Sequence, residues 1–335
     1  MEKVVRWGVL STAKIAVKTV IPAIQKAAFC EVAAIASRDL ERARVSATAL
    51  GVPKAYGSYE ELICDPTIDV IYNALPNHLH AEWSVRALQA GKHVLCEKPS
   101  GLNAKEVEVV AAASKRSGLV AAEAFMVRHH PQWKRTRQLT AAGRIGEVRA
   151  VHTVFSYFLT DPDNVRNRLD IGGGGLYDVG CYAINTARYV FSAEPERAIA
   201  MFDRDPALGI DRMASGLLEF SGGRHLAFTC ATQLSPCQAI RILGTKGRIE
   251  LQVPFNARAD QPARIVIDDG RDLLGGGAEA IELDAVDQYQ LQAEAFREAV
   301  LGLSPLESDL GDAVSNMRVI DALFRSGHSQ RFEQP

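Results

Sequence analysis

The side chains of Lys98, Asp178 and Tyr182 are suited to moving a proton. Lys98 lies in a Glu-Lys-Pro tripeptide after a short apolar run, and Asp178 and Tyr182 are four residues apart, so they project from one face of a helix. A free tyrosine has a pKa of about 10, too high for an effective base at neutral pH, and a nearby ammonium group lowers it. We therefore expect Lys98 to activate Tyr182 as the general base, while Asp178 holds a substrate hydroxyl group or orients Lys98.

Each of these residues also has an ordinary structural interpretation. Lys98 can be a surface lysine at a turn, Asp178 the N-cap of a helix, and Tyr182 a half-buried aromatic residue of the core. In an open parallel sheet, however, ligands bind just beyond the carboxyl ends of the strands. A lysine that follows a strand is therefore placed to face a substrate or cofactor, provided that the surrounding elements form such a sheet.

Strands and helices alternate along the first part of the chain. The apolar patterns predict strands at residues 4–10, 31–37, 68–75, around 94 and 119–123, and helices at residues 13–26, 40–50, 81–90 and 103–117. Repeated alternation with short connections implies right-handed crossovers and a parallel sheet covered on both faces. We therefore predict an α/β architecture that begins with a doubly wound, parallel Rossmann domain at residues 1–123.

The turn after the first predicted strand carries an eroded form of the glycine-rich phosphate-binding motif. Gly8 is retained, while Ser11 and Ala13 replace the other two glycines. Small residues still let backbone N–H groups approach a pyrophosphate at a helix N-terminus. Ser11 and Thr12 either add hydroxyl donors or cap the helix. The predicted cofactor contacts in this turn are Gly8, Ser11, Thr12, Ala13, Lys14 and Ile15.

The residues after the second predicted strand favour NADP over NAD. An acidic residue there would bind the ribose hydroxyl groups and repel a 2′-phosphate, but this chain has Ser37 and Arg38, which suit a phosphate. Alternatively, Ser37 caps the next helix and Arg38 is solvated. The carboxylate of Asp39 opposes a phosphate site unless it caps that helix. We predict contacts from Ser37 and Arg38 to NADP, with NAD as the alternative.

Further contacts are predicted after the other strands. His80 is equally well interpreted as a helix-start residue, and Glu97 as an anchor of its loop or a partner of the cofactor ribose. The predicted cofactor contacts in this region are Leu75, Pro76, Asn77, His80, Glu97 and Lys98. The residues predicted to line the substrate pocket are Arg128, His130, Arg166 and Arg168, although the last two can also be solvated in a loop. His129 and His130 have no third ligand at metal-binding spacing, so we predict no metal site.

Four motifs in this order resemble the glucose-fructose oxidoreductase / inositol dehydrogenase (Gfo/Idh/MocA) family. They are the turn at residues 8–15, the segment 73–80, the tripeptide 97–99 and the glycine-rich segment 172–185. The resemblance covers essentially the whole chain. It implies a second, α+β domain built on a large, mainly antiparallel sheet, which binds substrate and mediates oligomerisation as a homodimer or homotetramer.

The sequence beyond residue 123 agrees with this architecture. Strand-like runs occur at residues 148–158, 198–202, 214–220, 225–232, 239–243 and 248–253, with a hairpin turn at Lys246. Helical patterns occur at residues 132–142, 181–190, 290–301 and 309–324. We therefore predict that residues 124–335 form the second domain.

The family usually has histidine at the position of Tyr182, and tyrosine resembles the branch with glucose-fructose oxidoreductase, D-xylose dehydrogenase and dimeric dihydrodiol dehydrogenase. This resemblance implies NADP-dependent oxidation of an aldose at its C1 hydroxyl group. A trans-dihydrodiol dehydrogenase is an alternative, with an aromatic pocket from Phe125, Trp133, Phe155 and Tyr157. A non-catalytic sensor of cofactor or sugar is another, although sensors tend to lose the lysine or the tyrosine that this chain retains.

Composition excludes several other classes of protein. The 335 residues are 47% hydrophobic and 23% charged with a net charge of -2, which suits two soluble domains and argues against binding to nucleic acid or an anionic membrane. The N-terminus has no signal-peptide pattern, and no apolar stretch reaches the length of a membrane span. The six cysteines form no CxxC motif, so we expect reduced thiols in a cytoplasmic protein.

Overall fold

The strands form two sheets within residues 3–335, the part of the chain that this computed structural model describes. The first sheet comprises β1 (Val5–Leu10), β2 (Cys30–Ala36), β3 (Lys54–Tyr56), β4 (Val70–Asn73), β5 (His93–Cys96) and β6 (Ala121–Glu123). Its helices are α1 (Ile21–Lys26), α2 (Leu40–Leu50), α3 (Tyr59–Ile63), α4 (His80–Gln89) and α5 (Ala104–Ser117). A π-helical turn, Ala16–Val20, runs directly into α1.

The first sheet has the order β3-β2-β1-β4-β5-β6, and every pair is parallel. The strand order runs outwards in opposite senses from β1 and β4, and dinucleotides bind at this switch point in such folds. The predicted doubly wound parallel sheet is confirmed. β3 and α3 were not predicted from the sequence, because β3 has three residues and α3 has five, too few to establish an apolar period.

The second sheet confirms the predicted large, mainly antiparallel architecture. It comprises β7 (Val148–Phe158), β8 (Pro195–Arg204), β9 (Asp211–Phe220), β10 (Arg224–Ala231), β11 (Gln233–Gly244), β12 (Gly247–Leu251), β13 (Ala263–Asp268) and β14 (Ala278–Leu283). The order is β14-β13-β12-β11-β7-β10-β9-β8, with β7 and β10 as the parallel pair. The predicted turn at Lys246 is confirmed, because Gly244 pairs with Gly247. The sequence missed β13 and β14.

Two helices in this part of the chain accompany the second sheet, α6 (Pro131–Ala141) and α7 (Cys181–Phe191). Every residue of α7 is buried. A helix that is buried on all sides needs partners for its polar groups. Arg188 has them, because it makes two hydrogen bonds of 2.6 and 2.8 Å to the carboxylate of Glu194.

The chain divides into two units, and the first of them includes a segment from near the C-terminal end of the chain. The first unit comprises residues up to His129 with Asp287–Val314, and the second comprises His130–Val286 with Ser315–Pro335. The late segment holds α8 (Gln288–Val300), and α9 (Leu310–Ser329) contributes residues to both units. This division differs from the single boundary after residue 123 in the sequence analysis.

Aromatic packing explains why α8 belongs to the first unit. Phe296 and Ala293 are each 1% exposed and lie in the same hydrophobic cluster as Trp7. The ring centroids of Trp7 and Phe296 are 5.6 Å apart. Burial of large aromatic side chains is among the strongest contributions to a core, so α8 completes the core of the parallel sheet. No helix within residues 3–335 has the length and apolar character needed to cross a membrane.

Candidate active-site residues

The turn after β1 keeps a glycine-like backbone although its glycine is replaced. Ser11 has a φ of +93°, in the left-handed region that favours glycine. Its N–H donates to the carbonyl of Ala36 at 2.9 Å, and its Oγ accepts from the N–H of Ala13 at 3.0 Å. The neighbouring predicted contacts Thr12 and Ile15 are half-buried. The turn thus has the compact form expected where a strand leads into a phosphate-binding helix.

Gly8 lies inside β1, two residues before the strand ends. A Cβ atom at Gly8 would lie 2.5 Å from Leu62 Cδ2 and 3.2 Å from side-chain atoms of Ile68 and Ile71. Glycine at this position therefore permits close packing of α3 and the neighbouring core against the strand.

Asp39 caps the helix that follows β2. Its carboxylate accepts from the N–H groups of Glu41 and Arg42 at 3.0 and 3.2 Å. The capping role that the sequence also considered for Ser37 therefore belongs to Asp39, while Ser37 Oγ accepts from the N–H of Asp39 at 3.2 Å. Arg38 is exposed beside them at the end of the strand.

Glu97 anchors the Glu-Lys-Pro tripeptide that follows β5. Its Oε1 accepts from the hydroxyl of Tyr72 at 2.5 Å, and its Oε2 accepts from the N–H of Lys98 at 3.3 Å. Burial, followed by the charge of Glu97, holds the pKa of Tyr72 well above its usual value, so this phenol stays a donor. Lys98 itself is half-buried, and the peptide bond between Lys98 and Pro99 is cis.

His80 links two of the loops that carry predicted cofactor contacts. It is the first residue of α4 and is 1% exposed, and its Nδ1 and Nε2 atoms each lie 2.6 Å from a carbonyl oxygen, those of Pro99 and Leu75. Burial lowers the pKa of His80 to about 4, although the two carbonyl groups favour the protonated ring. Both ring nitrogens thus face backbone of the first unit. Pro76 and Asn77, in the same loop as Leu75, are half-buried.

Asp178 of the second unit accepts two hydrogen bonds on one carboxylate oxygen. The hydroxyl of Tyr157 donates to Asp178 Oδ2 at 2.5 Å, and Arg166 Nε donates to the same atom at 3.0 Å. Burial and then the charge of Asp178 raise the pKa of Tyr157, so Tyr157 remains a neutral donor. From the sequence, Tyr157 was predicted only to line an aromatic pocket; its hydrogen bond to Asp178 could not be predicted, because the two residues meet through tertiary packing.

A π-helical turn carries Asp178 directly into α7. The turn spans Leu176–Gly180, so the helical segment begins two residues earlier than the predicted start near Asp178. Such turns are rare and occur often at functional sites. Tyr182 follows in α7 and is 6% exposed. Its ring centroid lies 5.7 Å from that of Phe155 and 5.5 Å from that of Phe255, which gives the phenol an apolar, aromatic environment.

The other residues predicted to line a substrate pocket have different partners. Arg128 is buried in the first unit with Nη1 3.7 Å from Asp312 Oδ2, and Arg168 pairs with its neighbour Asp170. His130 caps α6, because its Nδ1 accepts from the N–H of Gln132 at 3.1 Å, and burial lowers its pKa to about 4. Within residues 3–335, no group of three or more side chains is arranged to hold a metal ion.

Family models match a segment of each unit. Together they describe one class of protein, the NAD(P)-linked oxidoreductases with a Rossmann domain. Residues 5–125 match an oxidoreductase family described by its NAD-binding Rossmann fold, and residues 133–250 match the GFO/IDH/MocA C-terminal domain. The chain therefore belongs to the Gfo/Idh/MocA family of oxidoreductases, which confirms the resemblance seen in the sequence.

Three similar proteins span nearly the whole chain. An uncharacterized oxidoreductase of Rhizobium meliloti, ORF334, is 46% identical over 98% of each chain. The D-xylose 1-dehydrogenase (NADP(+)) 2 of Haloferax volcanii is 39% identical over 96% of this chain and 97% of its own. The 3-ketoreductase KijD10 of Actinomadura kijaniata, solved with NADP and TDP-benzene, is 30% identical with a TM-score of 0.91, covering 97% of this chain and 98% of its own.

Proposed function

We propose that this protein is an NADP-dependent dehydrogenase that oxidises the C1 hydroxyl group of an aldose. The observation that carries the proposal is Asp178, whose carboxylate is held by two donors one helical turn before Tyr182. A fixed acceptor beside a phenol suits a substrate that presents neighbouring hydroxyl groups. The similarity to a D-xylose 1-dehydrogenase supports an aldose as that substrate.

The cofactor proposed for the first unit is NADP. The left-handed turn at Ser11 fits the approach of a pyrophosphate to a helix N-terminus. The guanidinium group of Arg38 is exposed at the end of β2, where a 2′-phosphate is recognised, and the carboxylate of Asp39 is engaged by α2. We propose that the remaining predicted residues, among them Lys98 and Glu97, also contact the cofactor. Bound NADP supplies the hydride acceptor of the reaction.

In the proposed reaction Tyr182 takes the proton of the C1 hydroxyl group as the carbon loses its hydride. The positive charge of Lys98 favours the phenolate form of Tyr182, which makes it an effective base. Asp178 accepts a hydrogen bond from a substrate hydroxyl group and so orients the sugar. The aldose loses one proton and one hydride and becomes a lactone. In the reverse direction Tyr182 donates the proton to the carbonyl oxygen.

Single substitutions of the two residues test this mechanism. We expect Tyr182→Phe and Lys98→Ala each to lower kcat by about 10²-fold or more, the usual contribution of general acid–base catalysis, while NADP affinity changes little. The measurement is NADPH formation with a panel of aldoses, together with NADP titration. Near-normal turnover by Tyr182→Phe would contradict the assignment of the base.

A cyclic diol is a second candidate substrate, because aromatic rings surround Tyr182. Phe155 and Phe255 stack with ring centroids 4.8 Å apart next to the tyrosine. Such a surface favours a flat, apolar ring over a fully hydroxylated sugar. A trans-dihydrodiol in the same turnover panel separates the two substrates. Tight NADP binding without turnover of any compound would instead support a cofactor or sugar sensor.

We also propose that the protein self-associates as a homodimer or homotetramer. Four residues on neighbouring strands of the second sheet lie side by side in one row. They are, in order, Met201, Ser215, Thr229 and Val154. Met201 is 80% exposed and Val154 36% exposed. Exposed apolar residues on a sheet face are typical of an interface. Sedimentation of the wild type and of Met201→Glu tests this: the variant should shift towards the monomer, and a monomeric wild type would contradict the proposal.

A further inference from the structure

Glycines occupy positions 172–175, just before the helical segment that carries Asp178 and Tyr182. The carboxylate of Asp211, on β9, meets this run. Its Oδ2 accepts from the N–H of Leu176 at 2.6 Å. A Cβ atom at Gly174 would lie 1.9 Å from Asp211 Oδ1, and Gly174 has a φ of +124°. Glycine is therefore required at position 174 both by the backbone conformation and by the carboxylate that fills the side-chain space.

The other side of the glycine run contacts the loop that holds Arg166. The N–H of Gly173 donates to the carbonyl of Arg168 at 2.8 Å, and the N–H of Gly174 donates to the carbonyl of Arg166 at 2.9 Å. A Cβ atom at Gly173 would lie 2.6 Å from the carbonyl oxygen of Arg166. The run is thus held between Asp211 and the backbone of the arginine whose side chain reaches Asp178.

We propose that Asp211 is a positioning residue, whose buried carboxylate fixes the start of the helical segment that carries Asp178 and Tyr182. It acts on the segment through the N–H group of Leu176, and on the Arg166 loop through the glycine run. The inference rests on the proposed function for its effect on turnover, but its effect on the local structure is independent of the substrate.

The surroundings of Asp211 make its charge sensitive to pH. Asp211 is 1% exposed, and burial raises its pKa to about 6, against the lowering effect of the backbone N–H groups and of Arg204. The charged and titratable groups that face it are Arg204 from β8 and the buried thiol of Cys230 from β10, and Asp178 follows on the helical segment. A pKa raised by burial means that the closed segment binds this proton more tightly than an opened, hydrated segment would, so protonation favours the closed form.

Asp211→Asn is the main test, with Asp269→Asn as the control. Asp269 directly follows β13 and pairs with the exposed Arg271, and four strands separate β13 from β9 in the sheet. We expect Asp211→Asn to lower kcat by about tenfold or more, since small misplacements of a reacting group are costly, with the KM for NADP nearly unchanged. Hydrogen exchange of the amides at residues 174–182 should become faster in this variant. The control should leave both measurements unchanged.

The pH dependence of the wild type provides a second measurement that needs no variant. We expect the protection of the 174–182 amides, corrected for intrinsic exchange, to rise as the pH drops through about 6, because the closed segment binds the proton of Asp211 more tightly than an opened one. Unchanged protection in the wild type across that range, or unchanged exchange and kcat in a folded Asp211→Asn, would overturn the inference. If the wild type turns over no sugar or diol, the proposed function fails, while the exchange results still decide the role of Asp211.

Discussion

At the scale of single residues, the clearest feature is that Oδ2 of Asp178 accepts from both Tyr157 and Arg166. Two donors on one oxygen fix the rotamer of the carboxylate. The sequence identified Asp178 and Arg166 as site residues and left open whether Arg166 was solvated. The structure shows the pair joined, and it adds the hydroxyl group of Tyr157.

Tyr157→Phe removes one of these two donors and keeps the aromatic ring. We expect kcat/KM for the sugar to fall about tenfold, the effect of losing one hydrogen bond to a charged group, while the KM for NADP stays constant. Tyr189→Phe, in α7, serves as a control for loss of a tyrosine hydroxyl group elsewhere in the second unit. Equal losses in the two variants would show that Tyr157 has no special role towards Asp178.

Arg38→Ala tests the choice of cofactor. We expect the KM for NADP to rise about tenfold or more, because a charged partner of the 2′-phosphate is removed, and the KM for NAD to stay nearly constant. Arg42→Ala, another exposed arginine in the adjoining α2, is the matched control. If NAD and NADP binding weaken equally in Arg38→Ala, the assignment of this arginine to the 2′-phosphate is wrong.

At the scale of elements, β1 and its turn separate two roles that the sequence had combined. The spacing of Gly8, Ser11 and Ala13 indicated one phosphate-binding motif. In the structure Ser11 has the glycine-like backbone of the turn, and Gly8 makes room for Leu62 of α3. The sequence did not reveal this packing because α3, with five residues, was not predicted.

Gly8→Ala distinguishes the two roles. A new methyl group 2.5 Å from Leu62 Cδ2 overpacks the core, so we expect the free energy of unfolding to fall by about 1–3 kcal/mol. Urea unfolding measures the change, and Gly57→Ala, whose Cβ would make ordinary contacts with Leu40, is the control. A loss of NADP affinity at unchanged stability would instead support the predicted cofactor contact of Gly8.

At the scale of the whole molecule, buried ionisable groups make stability depend on pH. Burial lowers the pKa of His80 and of His130 from 6.5 to about 4. Between these values the unfolded chain binds protons that the folded chain does not, so their contribution is present above pH 6.5 and is lost as the pH falls towards 4. Asp211 opposes them, because its pKa is raised from 3.8 to about 6.

Two histidines outweigh one aspartate, so we expect the free energy of unfolding to rise as the pH increases from about 4 to about 6.5. Urea unfolding at several pH values measures this slope. His80→Gln and His130→Gln should each reduce it, whereas His328→Gln, at an exposed position in α9, should leave it unchanged. A stability that falls with increasing pH over this range would contradict the expectation.

Local patterns along the chain were enough to predict the class of fold, the family resemblance and most elements of both sheets. Helices and strands show apolar periods of 3.6 and two residues, and motifs are short. Both depend only on neighbouring residues, so they can be recognised without knowledge of the fold. β7 and α2 match their predicted bounds, and the Glu-Lys-Pro tripeptide follows its strand as expected.

Contacts between residues far apart in the chain could be seen only in the folded molecule. Asp211 reaches Leu176 across 35 positions, Tyr157 reaches Asp178 across 21, and the carboxylate of Glu294 in α8 accepts from the N–H of Ala28 across 266. Such contacts depend on strand register and on which core a helix enters. Both are set by the packing of the folded chain as a whole, which no local pattern encodes.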